Sequence, residues 1–242
     1  MFKKSIVTLL VVFMVMSLFT GCSNSSTPTT DTTDTTNTTD TTDTTNLEDE
    51  TLVWRMGFEP RSFDPQQNYS SGHIIQNIYE GLFAEKIGGI EPAIAESYEI
   101  SDDGCTYTFK LREGVKWSDG QPVTAKDFEF SWKRLCSPEM AATTSYLMTP
   151  YIKGALDYLT GKGTAEQMCV KAVDDLTLEV ELNNPTPFFI NLTTFYSYSP
   201  ARKDIIEKYG EGWDMNPETC ISNGAFKLEE IHTGSHVILT KN

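Results

Sequence analysis

Between residues 95 and 135 the spacing of apolar and polar positions changes twice, and each change predicts an element. Tyr98 and Ile100 alternate with polar neighbours, and Ser101-Asp102-Asp103-Gly104 then supplies the short polar side chains and the glycine of a reversal. From Thr106 the period is two. Tyr107, Phe109 and Leu111 point one way while Thr106, Thr108 and Lys110 point the other, as in a half-buried strand. Val115 and Trp117 anchor a second turn at Ser118-Asp119-Gly120. Thr124 then stands at an N-cap with Asp127 three residues on, a capping box with Asp in place of Glu. Phe128, Trp132 and Leu135, at i, i+4 and i+7, give the following helix one apolar stripe.

The same reading extends in both directions. Residues 51–57 (TLVWRMG) predict an opening strand, and Ile74, Ile75, Ile78 and Leu82 mark one face of a helix after the polar loop 66–72. Residues 140–156 read as helical, with Tyr146-Leu147 at the centre. Residues 170–182 read as strand, Asp-Asp turn and strand, the second alternating through Leu176, Leu178, Val180 and Leu182. Pro185 and Pro187 end that strand and precede a helix start at Phe188-Phe189. Residues 195–200 (FYSYSP) form an aromatic crossover, with Tyr196 and Tyr198 read as packing groups in preference to cleft-facing ones. A short amphipathic helix over 201–210 follows. His232 and His236 have the i, i+4 spacing of a helical metal site, but Gly234 between them and the β-like HVILT place them on a strand, so no metal is expected.

The N-terminus has a different character. Lys3 and Lys4 precede a mostly apolar run, 6–19, and Gly21-Cys22 follows directly. This is the layout of a secretory signal, too short for a comfortable membrane span. A cysteine at the cut marks a lipoprotein signal, with Cys22 as the site of lipid attachment; an ordinary cysteine behind a standard signal is the alternative. Acyl chains contributing ~0.8 kcal/mol per buried CH₂ would hold such a protein on a membrane. Residues 23–46 are almost wholly Ser, Thr, Asp and Asn, with a three-residue repeat from Asp31, and cannot bury apolar surface. They read as a disordered tether spanning ~27 Å on average.

Composition narrows the function. The chain carries 34 acidic and 19 basic residues, a net charge of −15, and losing residues 1–21 removes two lysines and no acid. That balance argues against nucleic acid and against electrostatic attachment to anionic lipid. Cys105, Cys136, Cys169 and Cys220 lie beyond the tether, show no CxxC spacing, and leave the choice between disulfides and free thiols open. Gly161-Lys162-Gly163-Thr164 mimics a phosphate loop but has Asp157 where the first glycine is needed. The three histidines have no nucleophile or metal partner at a recognisable spacing, so neither an enzyme nor a cofactor is expected.

The succession Ala95-Glu96-Ser97, Asp103-Gly104, Tyr107-Thr108-Phe109-Lys110-Leu111-Arg112, Gly114-Val115-Lys116-Trp117, Asp119-Gly120-Gln121-Pro122-Val123-Thr124-Ala125 and Asp127-Phe128 resembles the signature of extracellular solute-binding proteins of family 5, receptors of ABC transporters that bind peptides and nickel. Ser62-Phe63-Asp64-Pro65, Tyr79-Glu80-Gly81-Leu82 and Asn223-Gly224-Ala225-Phe226-Lys227-Leu228 match further family elements. The resemblance implies an α/β, periplasmic-binding-protein-like type II (Venus-flytrap) fold, incomplete here. On that reading residues 80–194 form the accessory lobe, residues 47–79 and 195–242 are part of the first lobe, and the chain is the N-terminal portion of such a protein. It also implies Tyr69, Ser70 and Ser71 as ligand-binding residues, because the family's loop between the first two of those three motifs lines its cleft. The implied function is capture of oligopeptides on the outer face of the cytoplasmic membrane, or in the periplasm, for delivery to ABC permease subunits. Two alternatives stand beside it: a truncated surface lipoprotein without import activity (adhesin or sensor partner), and a family member for nickel or another small solute.

Overall fold

The computed structural model describes residues 59–67 and 71–242; Cys22, the tether, the predicted strand at 51–57, Tyr69 and Ser70 lie outside them. Helix α1 (Gly72–Ile78) buries Ile74, Ile75 and Ile78. It is shorter than its apolar stripe, and Leu82 is buried beyond its end. Strands β1 (Phe83–Lys86) and β2 (Gly89–Pro92) form an antiparallel hairpin absent from the sequence expectation. Their pattern is too short and too exposed to show a period.

Strands β3 (Ala95–Ile100) and β4 (Thr106–Leu111) follow as predicted, then helix α2 (Ala125–Leu135), a short helix α3 (Ala155–Leu159), and strands β5 (Val170–Asp174) and β6 (Thr177–Glu181). Strands β3 to β6 make one antiparallel sheet in the order β3-β4-β6-β5. Tyr107 pairs with Val180 and Phe109 with Leu178, so the alternation read in each strand falls on a common buried face. Phe128, Trp132 and Leu135 of α2 are fully buried with these residues in one core, each contributing about 1.5–3 kcal/mol. The helix start has its expected chemistry: Thr124 donates its backbone N–H to Asp127 Oδ2 at 2.8 Å and its hydroxyl at 3.1 Å. Farther along α2, Glu129 accepts the Ala172 N–H of edge strand β5 at 2.8 Å, satisfying a donor that would otherwise face a neighbour.

Residues 140–156 depart from the expectation. Instead of one helix there is a 3₁₀ turn at Thr143–Leu147, then a run of turns that carries the isolated Ile152–Leu182 bridge just past the end of β6, then α3. Pro150 has no N–H for a continuing helix. Neighbouring backbone groups are drawn into the sheet instead, Lys153 N–H to Glu181 O at 3.0 Å and Asn183 N–H to Tyr151 O at 2.8 Å.

The chain closes with α4 (Phe189–Leu192), α5 (Lys203–Tyr209), and a second hairpin of β7 (Phe226–His232) and β8 (His236–Lys241). All four cysteines beyond the tether are free. Among the described residues, no helix is long and apolar enough to cross a membrane.

Candidate functional site

Two stretches far apart in sequence, 59–67 with Ser71 and 195–199, meet beside α1. The first is fixed from below by Asp214, in the 3₁₀ turn Trp213–Met215. Its Oδ2 accepts the Ser62 hydroxyl at 2.6 Å and the backbone N–H groups of Phe63 and Asp64 at 2.7 and 2.9 Å. Phe63 is thereby held in the core. Asp64, itself buried, turns to Arg134 at the end of α2, which donates to Asp64 Oδ2 at 2.6 Å, Asp64 Oδ1 at 3.0 Å and Gln66 Oε1 at 3.1 Å. A guanidinium holding a carboxylate in a fork is the strong form of such a contact. Gln66 completes the link by donating to Ser199 O at 3.0 Å and Ser197 O at 3.5 Å. The loop is thus tied to α2 and to the crossover before it reaches residues 68–70.

Beyond those residues Ser71 is buried, and its carbonyl accepts the N–H groups of Ile74 and Ile75 at 2.9 and 3.0 Å, opening α1. Gly72 follows, and a Cβ there would stand 3.1 Å from the ring of Tyr196. This close approach brings the crossover against the start of α1. Tyr196 lies 4.3 Å, centroid to centroid, from Phe195. Burial, and then the neighbouring phenol of Tyr146, raise its pKa above the usual tyrosine range. Tyr146, on the 3₁₀ turn, is 63% exposed.

Tyr198 is fully buried, as the packing reading expects. Its hydroxyl donates to Leu147 O at 2.5 Å, its carbonyl accepts Trp132 Nε1 at 2.8 Å, and its ring meets Trp132 edge-on at 5.0 Å. Tyr196 is only half-buried and shares in the wall beside α1.

The structure therefore places Ser71 at the junction, with Tyr69 and Ser70 outside the described residues. It adds Phe195, Tyr196 and Tyr146, and beneath them the supporting set Asp64, Gln66, Arg134 and Asp214. The sequence signal for the support was the Ser62–Pro65 motif, whose Asp carries the fork; nothing local pointed to its partners. The wall so formed is aromatic and hydroxylic. Among the described residues no group of three or more His, Cys, Asp or Glu side chains is arranged to hold a metal.

Comparison with known proteins gives a consistent picture. The profile described as "Bacterial extracellular solute-binding proteins, family 5 Middle" matches residues 89–242. The oligopeptide-binding protein OppA of Bacillus subtilis is 43% identical over 196 residues, 79% of this chain and 36% of that protein. The substrate-binding domain of an oligopeptide ABC transporter from Bacillus anthracis superposes with a TM-score of 0.74 at 38% identity, covering 78% of this chain and 37% of that one. Haemophilus influenzae OppA, solved in complex with the peptide RPPGFSPFR, gives a TM-score of 0.72 at 35% identity over 76% of this chain and 37% of its own. The chain thus spans little more than a third of the length of these relatives.

Proposed function

Because the chain belongs to the bacterial extracellular solute-binding proteins of family 5, we propose that it captures oligopeptides outside the cytoplasmic membrane and passes them to an ABC permease. Its α/β architecture is part of the periplasmic-binding-protein type II fold. The observation that carries the proposal is the wall beside α1. A loop held by Asp214 and Arg134 and a crossover presenting Phe195 and Tyr196 converge there, and a solved relative holds a peptide.

Such capture is binding without chemistry. Two lobes close on an extended peptide whose backbone gives affinity without demanding a sequence, while closure creates the surface a permease recognises. On this reading residues 80–194 form the accessory lobe, residues 47–79 and 195–242 belong to the first, and Tyr69, Ser70 and Ser71 line the cleft with Tyr196. Cys22 carries the lipid that holds the receptor at the outer face of the membrane, with residues 23–46 as its tether.

Calorimetry with a mixed pool of tri- to pentapeptides tests peptide capture. Saturable heat, weakened at least tenfold by Tyr196→Ala, supports it; no heat at millimolar peptide overturns capture by these residues. Metabolic labelling with palmitate tests the anchor separately. Label that survives Cys22→Ala would place the lipid elsewhere.

A further inference from the structure

His232 and His236 are too far apart along a single strand to share a ligand, but the chain reverses between them. The loop Thr233-Gly234-Ser235 closes the hairpin with Gly234 at φ 74 and a Ser235 N–H to His232 O bond of 2.9 Å. His232 and His236 thereby become direct cross-strand partners. Their imidazoles stack with centroids 4.4 Å apart at an interplanar angle of 25°, on an exposed face.

Each ring has one nitrogen already engaged. His232 Nε2 lies 2.5 Å from Glu230 Oε2, and the tautomer that donates to this carboxylate leaves Nδ1 with its lone pair. His236 Nδ1 lies 2.8 Å from the Ser235 hydroxyl, and the tautomer that donates to that oxygen leaves Nε2 free. A carboxylate or hydroxyl on the far nitrogen is the arrangement that orients metal-ligating imidazoles and fixes their tautomer. The hairpin is anchored from its other face: Ile231 and Val237, the neighbouring cross-strand pair, pack against the core. The Gly234 N–H donates to both carboxylate oxygens of Glu59 at 3.0 Å, holding the turn.

We infer that His232 and His236 form a surface site for a divalent first-row transition metal, with Glu230 and Ser235 as orienting partners. Imidazole nitrogens suit zinc, copper and nickel in preference to calcium or magnesium. Two Zn–N bonds of about 2.0–2.1 Å at a tetrahedral angle place their nitrogens roughly 3.4 Å apart, a span comparable with the 4.4 Å between the two ring centroids. Water completes the coordination.

The test is calorimetric titration of Zn(II) into the untagged full-length chain with its accessible thiols alkylated, so that cysteine cannot contribute. One saturable equivalent is expected, lost in His232→Ala and in His236→Ala and weakened about 10- to 100-fold in Glu230→Gln. His73→Ala, which removes the third histidine, leaves it intact. Absence of saturable binding below millimolar Zn(II), or binding that survives both hairpin substitutions, overturns the proposal. Circular dichroism of each variant confirms that lost binding is not lost folding.

Discussion

A Cβ at Gly224 would lie 2.6 Å from the carbonyl carbon of Ile78 and 2.8 Å from both Asn77 O and Tyr79 N. All three are backbone atoms and cannot swing aside. The bare glycine lets the chain entering β7 dock on the end of α1, where Gly224 N–H donates to Ile78 O at 2.8 Å and Asn223 Nδ2 to Glu80 O at 2.9 Å. Gly224→Ala is therefore expected to cost at least about 1–3 kcal/mol, read as a lower urea midpoint. Gly89→Ala is the control, since a Cβ there meets nothing within 4 Å. The cysteines separate on equally local grounds. Cys136 and Cys220 are buried, and burial pushes each thiol up to about 12, so almost no thiolate exists at neutral pH. Cys105 and Cys169 are half-exposed, on opposite flanks of β6, where Leu182 N–H bonds Cys105 O and Glu181 N–H bonds Cys169 O. Two strand spacings, roughly 9–10 Å, exceed what a disulfide can bridge. Mass-spectrometric mapping of alkylated native protein should find Cys105 and Cys169 modified, and Cys136 and Cys220 only after denaturation.

Helix α2 shows how the elements are held and how far they could be read in advance. Burial drives the Asp127 carboxyl above the ordinary aspartate range, against the bonds from Thr124 and Trp117 and the charge of Arg202 that pull it down. A raised folded-state pKa means that ionisation disfavours the native state. The associated stability is complete below the unfolded value, about 3.9, and is lost as pH rises through the folded value. Asp127→Asn, which keeps an acceptor for the Thr124 N–H, removes that titration. The wild type should therefore gain urea stability relative to Asp127→Asn between pH 7 and pH 4; a relative loss would mean that the hydrogen bonds outweigh burial. This cap, the stripe of Phe128, Trp132 and Leu135, and the alternation of β4 and β6 were all legible because each depends on a period or a spacing within one short segment. Hairpin β1–β2 was not, because four-residue strands facing mostly solvent carry no period. Nor was the 3₁₀ turn at 143–147, since the pairing of Lys153 with Glu181 overrides local preference. The wall beside α1 depends on Gly72 meeting Tyr196 and Asp64 meeting Arg134. Residue spacing along the chain cannot announce either pairing.

For the molecule as a whole, a net charge of −15 makes repulsive pairs outnumber attractive ones, and the two kinds respond differently to salt. Attractive contacts such as Lys126–Asp175 at 2.7 Å and Lys153–Glu181 at 2.5 Å are exposed and short, and water screens most of their attraction. The repulsion is spread over longer distances. Raising ionic strength from about 10 to 150 mM shortens the Debye length from roughly 30 to 8 Å, removing the long-range repulsion well before the contact pairs. The melting temperature should therefore rise over that range, whereas a fall would show that surface ion pairs dominate. Arg134–Asp64 belongs to neither class. At 2.6 Å, with Asp64 almost inaccessible, it is shielded by protein and not by ions. Arg134→Ala strands a buried carboxylate and should cost about 3–5 kcal/mol, and that penalty should be nearly the same at both salt concentrations. A penalty that shrinks in high salt would mean the loop beside α1 is held by the general field of the protein, and not by the fork that fixes it.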